Sequence, residues 1–204
     1  MKNVSVIKAI AGQITQAQQY NDWKDILERD PIHRFRKDEA KYPDISQLFK
    51  PEELGLVPNM IHPAKLTTPT EKLLYAILWK NGDLLKIPHL VNGLKGKANH
   101  ATSAITFYHF GKFLAHPDEN PIIDQHVIRA FKVVEEADQT DERGLQKNGR
   151  SGLLTIKNKE DCERYTSWVK RQYAESQGID IITFFQIIDD VMFAFGRFIK
   201  SSCK

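Results

Sequence analysis

Two stretches of the chain carry positive charge with no acid to balance it. From Leu84 through Pro117 there is no Asp or Glu, while Lys86, Lys95, Lys97, Lys112 and four of the seven histidines fall there. Average composition would place about four acids in such a window. From Arg143 to Lys159 the pattern returns, with Arg143, Lys147, Arg150, Lys157 and Lys159 interleaved with Gly144, Gly149 and Gly152. Cations on a glycine-bearing segment can follow a phosphate backbone and displace its condensed counterions, which makes Lys95, Lys97, Arg143, Lys147 and Arg150 the candidate nucleic-acid contacts. The plainer reading is a solvated polar surface. Between the two stretches lies Pro121-Ile-Ile-Asp124-Gln-His126-Val127-Ile-Arg129-Ala130-Phe131, a D-x-H-V-x-R string directly before an amphipathic helix. An aspartate there is most simply an N-cap, His126 a packed ring and Arg129 a pairing residue. Lys112, beside Phe110 and Phe113, is either a lysine made reactive by desolvation or a side chain snorkelling from a half-buried helix.

The elements that must position these residues read as helical almost throughout. Val4, Ile7, Ala11 and Ile14 share one face of a first amphipathic helix. From Asp30 to Pro63, Pro31, Pro43, Pro51, Pro58 and Pro63 break the chain, so only short helices fit, one of them after Asp44. Thr68, Pro69 and Glu71 form a helix start before Leu73, Leu74, Ile77 and Leu78, and Asn81-Gly82 ends that helix. A short apolar piece, Ile87 to Leu94, leads through Gly93-Leu94-Lys95-Gly96-Lys97 into a helix from about Asn99 to Leu114, an arrangement of helix, glycine-bearing turn and helix. The helix after Asp124 runs from about Gln125 to Glu136. Asp138 to Lys157 is expected to be a long polar loop. Two helices close the chain, one over about Lys159 to Gln177 ended by Gly178, the other from Asp180 and so rich in Phe that most of its girth should be buried. Leu153 to Ile156 is the nearest strand candidate and is too short to build a sheet. The fold class is mostly α, a helical bundle, with residues 1–67 as an irregular N-terminal wrap on a core of residues 68–204.

The D-x-H-V-x-R string, placed after a turn-bearing helix pair, resembles the helix-hairpin-helix DNA glycosylase superfamily. Phe107-Tyr108-His109-Phe110-Gly111-Lys112-Phe113-Leu114 and Asp189-Asp190-Val191-Met192-Phe193-Ala194-Phe195-Gly196-Arg197 are similar to segments of its bacterial 8-oxoguanine glycosylase-like branch. The likeness covers about Thr68 to Arg197. It implies a helix-hairpin-helix glycosylase-like core, DNA as partner, and a damaged purine extruded from the duplex before its glycosidic bond breaks. Asp124 is then the carboxylate that stabilises the cationic sugar or activates a water, with Lys112, His126 and Arg129 in support. The hairpin departs from the superfamily's Leu-Pro-Gly-apolar-Gly, reading Leu94-Lys95-Gly96-Lys97. No lysine lies in the span Ala101 to Thr106, where members that also cut the strand keep their nucleophile; Lys97 and Lys112 stand 27 and 12 residues before Asp124. A monofunctional enzyme without lyase activity is therefore expected.

Composition bounds the alternatives. The chain has 204 residues, 41% hydrophobic and 27% charged, enough for one sizeable domain or two small ones and too apolar for wholesale disorder. Its net charge of +3 is too small to name a partner. Cys162 and Cys203 offer neither an iron-sulfur set nor a disulfide framework, so no metal or cofactor is expected and a reducing cytoplasm suits them. No stretch reaches the roughly 18 apolar residues of a membrane span, and the start does not read as a secretory signal. Two other readings stay open: a non-catalytic relative that binds nucleic acid or a protein, with bacterial stress or phage defence as its setting, and a small-molecule enzyme using the same cleft.

Overall fold

In the computed structural model, residues 3–37, 86–97, 104–136, 142–150, 156–176 and 178–203 are described, together with single positions 72, 76, 77, 81, 152 and 154. They contain eight α-helices and no strand. None of these helices is long and apolar enough to cross a membrane. The chain divides into two compact units, Met1–Pro43 with Pro121–Lys204, and Asp44–Asn120. The expected division between residues 67 and 68 lies outside the described residues, as do the short helix after Asp44 and the capped start at Thr68. Of the helix expected after Thr68, Lys72, Ala76 and Ile77 are described and are helical, and the Asn81 amide donates to the Ile77 carbonyl at 3.0 Å.

The first unit is built on its last helix. Helix α1 (Val4–Gln16) buries Ile7, Ile10, Ala11 and Ile14. Helix α2 (Tyr20–Glu28) starts on a capping box in which the Gln18 and Gln19 amides donate to Asp22 Oδ2 at 3.0 and 2.8 Å, and it buries Trp23, Ile26 and Leu27. A 3-10 turn, Ile32–Phe35, follows. It is the described part of the proline-broken stretch, and the remainder of that expected wrap lies outside the described residues.

Helices α3 (Ile87–Leu94) and α4 (Ile105–Ala115) belong to the second unit. After them come α5 (Gln125–Glu135), α6 (Glu142–Arg150), a 3-10 turn at Ile156–Asn158, α7 (Lys159–Glu175) and α8 (Ile181–Ser202). Asp180 caps α8 by accepting from the Thr183 amide at 3.0 Å, after Gly178 at φ 77° has ended the preceding turn. Helix α8 packs against α2, α5, α6, α7 and the turn at Ile32–Phe35, which is why its Phe-rich sequence is buried nearly all round. Trp23, Phe131, Tyr165, Trp168 and Phe184 meet edge-on or tilted and join α2, α5, α7 and α8.

Within the loop expected over Asp138 to Lys157, residues 142–150 form a helix and a 3-10 turn begins at Ile156. Helix α6 escapes a search for apolar periodicity because its buried face is one leucine and one glycine. Leu145 is buried, and a Cβ on Gly149 would stand 2.2 Å from Cys203 Sγ. The glycine is the contact surface.

The second unit contains α3 (Ile87–Leu94) and α4 (Ile105–Ala115). Gly96 adopts φ 61°; its amide bonds to the Gly93 carbonyl at 3.1 Å and that of Lys97 to the Asn92 carbonyl at 2.9 Å, a Schellman ending. The two helices cross at Gly93 and Gly111, where added Cβ atoms would stand 2.0 Å from the Tyr108 carbonyl oxygen and 2.2 Å from that of Leu90. Both helices of the expected pair and the glycine-bearing ending of the first are present; the rest of their connection lies outside the described residues. Helix α4 is described from Ile105, and residues 98–103 of its expected start are outside the described residues.

Candidate functional site

Asp124 has extended backbone, φ −133° and ψ 179°, and ends the approach to α5. Its Oδ1 accepts both the His126 amide at 2.7 Å and the Val127 amide at 2.8 Å. These are two of the amides that a helix start leaves unpaired, and their partial positive charge favours an ionised carboxylate there. The cap reading of the sequence is therefore met in full. It uses one oxygen only: Oδ2 is not engaged by these amides, and the residue is half-buried.

The other two members of the string hold α5 to α8. Arg129 is 1% exposed. Its Nη1 lies 2.8 Å from His126 Nδ1 and donates to the Gly196 carbonyl at 3.3 Å. A guanidinium has only donors, so His126 Nδ1 must accept and the ring proton sits on Nε2. Burial lowers the pKa of His126, opposed by Asp124 and reinforced by Arg129, Lys200 and Arg197. The ring is neutral and offers an N–H donor. Burial also lowers the Arg129 pKa, with Asp124 pulling the other way. Gly196 lets this happen: a Cβ there would stand 2.0 Å from the His126 carbonyl oxygen.

Beside this junction lie residues whose spacing in the sequence did not mark them as a site. On α8, Asp189, Phe193 and Arg197 stand one turn apart. Lys37 arrives from the segment after the 3-10 turn and ion-pairs with Asp189, and with Asp190 at 3.3 Å. Its ammonium lies 5.2 Å from the Phe193 ring centre, the Arg197 guanidinium lies 5.7 Å from the same centre, and the His126 ring meets that ring edge-on at 5.1 Å. Burial disfavours the Lys37 charge, but the carboxylates of Asp189 and Asp190 outweigh it and hold the ammonium above the ordinary lysine range. Burial pushes the Asp189 carboxyl up to about 6, with Lys37 opposing the rise and Asp124 and Asp190 adding to it. Asp189 Oδ1 and the Tyr165 hydroxyl are buried and meet no hydrogen-bonding partner among the described residues. A charged residue inside an otherwise apolar helix was the available signal for Asp189. For Lys37, 152 residues away in sequence, no spacing rule gave one.

The remaining candidates are placed separately. Arg143 and Lys147 are exposed one turn apart on α6, with Leu145 turned inward between them; nothing is described of the Arg150 side chain. Lys95 and Lys97 are exposed at the end of α3, and Lys112 is half-buried on α4. These three belong to the second unit, whereas Asp124, His126 and Arg129 belong to the first. Among the described residues no three His, Cys, Asp or Glu side chains gather as a metal ion would need.

His109, buried on α4, carries a pKa lowered to about 4 by burial and then by the nearby Lys112 charge. A depressed histidine stabilises the fold above its unfolded pKa of about 6.5 and loses that contribution as pH falls from there towards 4. The second unit is expected to lose about 2 kcal/mol between pH 7 and pH 5 on this account. Denaturant melts of the parent and His109→Gln check it, the variant showing the smaller loss.

Comparison with protein-family models, with curated proteins and with solved structures finds no match for this chain.

Proposed function

We propose that this chain is a monofunctional DNA N-glycosylase acting on a damaged purine flipped out of the duplex, with Asp124 as its essential carboxylate. The observation that supports this reading is the one-sided use of Asp124: the helix amides fix Oδ1, and neither of them engages Oδ2. As the bond between C1′ and the base nitrogen breaks, its electron pair leaves with the base and positive charge builds on the sugar. A carboxylate held at fixed range stabilises that charge without first having to reorganise. A water then adds at C1′, and the proton it gives up neutralises the departed base anion. His126 and Arg129 support the step by locking the head of α5 against α8. Lys37, the lysine in this unit that faces α8 at the same junction, is held protonated by two carboxylates and so lacks the lone pair that a Schiff base requires. Base release from duplexes carrying oxidised or alkylated purines, compared with Asp124→Asn, tests the reading. Absence of release from every lesion by the parent overturns it.

A non-catalytic nucleic-acid-binding role is favoured by a different observation, the exposed Arg143 and Lys147 side by side on α6. Both readings require these cations to meet phosphate. Removing one phosphate-binding cation lowers the slope of log affinity against log salt by about 0.9 on duplex DNA. Arg143→Gln with Lys147→Gln is therefore expected to reduce that slope by about two, measured by fluorescence anisotropy over a salt series. An unchanged slope makes this face merely solvated.

A further inference from the structure

We propose that His126 is a positioning residue for Asp124 and an acid-labile one: its neutral ring, locked in one tautomer by Arg129, holds the head of α5 on α8, and protonating the ring releases it. The part that concerns catalysis rests on the reading of Asp124 as the essential carboxylate; the strut itself does not. Residue 126 is held by backbone and ring alike. Its amide donates to Asp124 Oδ1 at 2.7 Å, its carbonyl lies against Gly196, its ring meets Phe193 edge-on at 5.1 Å, and its Nδ1 stands 2.8 Å from Arg129 Nη1. Whatever moves the ring therefore acts on the backbone that fixes the Asp124 carboxylate. Arg129 is almost wholly buried, and its Nη1 also donates to the Gly196 carbonyl at 3.3 Å. A guanidinium keeps its charge near neutrality and has only donors. A second proton on the ring would sit on Nδ1 and set two positively charged donors face to face. The contact cannot survive that, and the ring must turn away from Phe193.

The surroundings set where this happens. Burial, Arg129, Lys200 and Arg197 disfavour the charged ring and Asp124 favours it, so that it titrates below the ordinary histidine range. Arg197 and Lys200 come from α8. The charges that α7 brings to α5, Asp161 and Arg164, are taken up by Lys132 and Glu135 towards its other end. Helix α1 buries Ile7, Ile10, Ala11 and Ile14, and α6 buries Leu145 and Gly149, none of them charged. A depressed histidine favours the closed junction above its open-state pKa of about 6.5 and loses that contribution as pH falls from there through its folded value.

Nitrogen NMR of the full chain labelled at histidine reads the ring directly. At pH 7 His126, assigned through its contact with the Phe193 ring, is expected to carry its proton on Nε2 and none on Nδ1. Between pH 7 and pH 5 the His126 and Val127 amides, which the Asp124 cap holds, should lose about tenfold in protection from hydrogen exchange, measured against the intrinsic rate at each pH. His126→Asn places a neutral amide oxygen where Nδ1 accepts, so its protection should stay level over the same range. Arg129→Gln keeps a donor to Nδ1 without the charge and should raise the pH at which the ring titrates. A proton on Nδ1 at pH 7, or parent protection that does not fall by pH 5, overturns the proposal. Should either variant fail to fold, the tautomer and protection of the parent decide on their own. In base release, the acid limb of the rate profile should move to lower pH in His126→Asn. A parent that releases no base removes the glycosylase reading, while the tautomer and the exchange still decide the strut.

Discussion

Asp124→Asn is expected to lower base release by about 100-fold or more while leaving the melting temperature nearly unchanged. The separation follows from the two uses of one side chain. Capping needs an oxygen that accepts from the His126 and Val127 amides, and the amide oxygen of asparagine does that as well as a carboxylate. Stabilising a sugar cation needs the negative charge, which asparagine lacks. Asp124→Ala removes both functions, and the missing cap adds about 1 kcal/mol of destabilisation, or a fall of roughly 3 °C for a chain of this size. An Asp124→Asn protein that releases base as fast as the parent, with Asp124→Ala merely less stable, would reduce Asp124 to its cap.

The second large effect is expected at Gly196. An alanine methyl there would stand 2.0 Å from the His126 carbonyl oxygen, 2.6 Å from its carbonyl carbon and 2.9 Å from its Cα. All three atoms are backbone, so no rotamer change relieves the clash and α5 must move away from α8. The movement also pulls Arg129 from the Gly196 carbonyl and leaves buried polar groups short of a partner. Gly196→Ala should cost about 3 kcal/mol or more, near 10 °C in melting temperature. Gly12→Ala supplies the contrast. It lies within α1 with nothing within 4 Å of its Cβ position, and it should stabilise by about 0.5–1 kcal/mol through helix propensity alone. Calorimetry of both variants gives the comparison, and a Gly196→Ala protein as stable as the parent would show that α5 and α8 are not held in backbone contact.

Local signals were legible in the sequence where they coincided with local physics. Asp124 before an apolar stripe and Asp180 after Gly178 are caps in the structure, and the crowding of Phe residues in Ile181–Ser202 did signal a helix buried on most of its sides. Helix α6 was hidden because the eye seeks large apolar residues at steps of three and four, whereas Gly149 packs by having no side chain. The D-x-H-V-x-R string stood out as a pattern, but its internal logic did not. That Arg129 is a buried strut between a histidine ring and a helix carbonyl depends on Gly196, 67 residues further on. Lys37 lay among unremarkable charges, since an ion pair across the fold leaves no periodic trace in the chain.

The first unit is assembled from the two ends of the sequence. Asn3 Nδ2 donates to Ser202 Oγ at 3.1 Å across 199 positions, and α2 and the turn at Ile32–Phe35 pack on α8. Helices α3 and α4, by contrast, are separated by only ten residues of sequence. This sets an order in time. During synthesis the second unit can complete its helix pair while α1 still waits for α5, and α2 for α8, to cover their apolar faces. The ion pair of Lys37 with Asp189 is therefore among the last features of the molecule to form, because its two sides lie 152 positions apart in the chain.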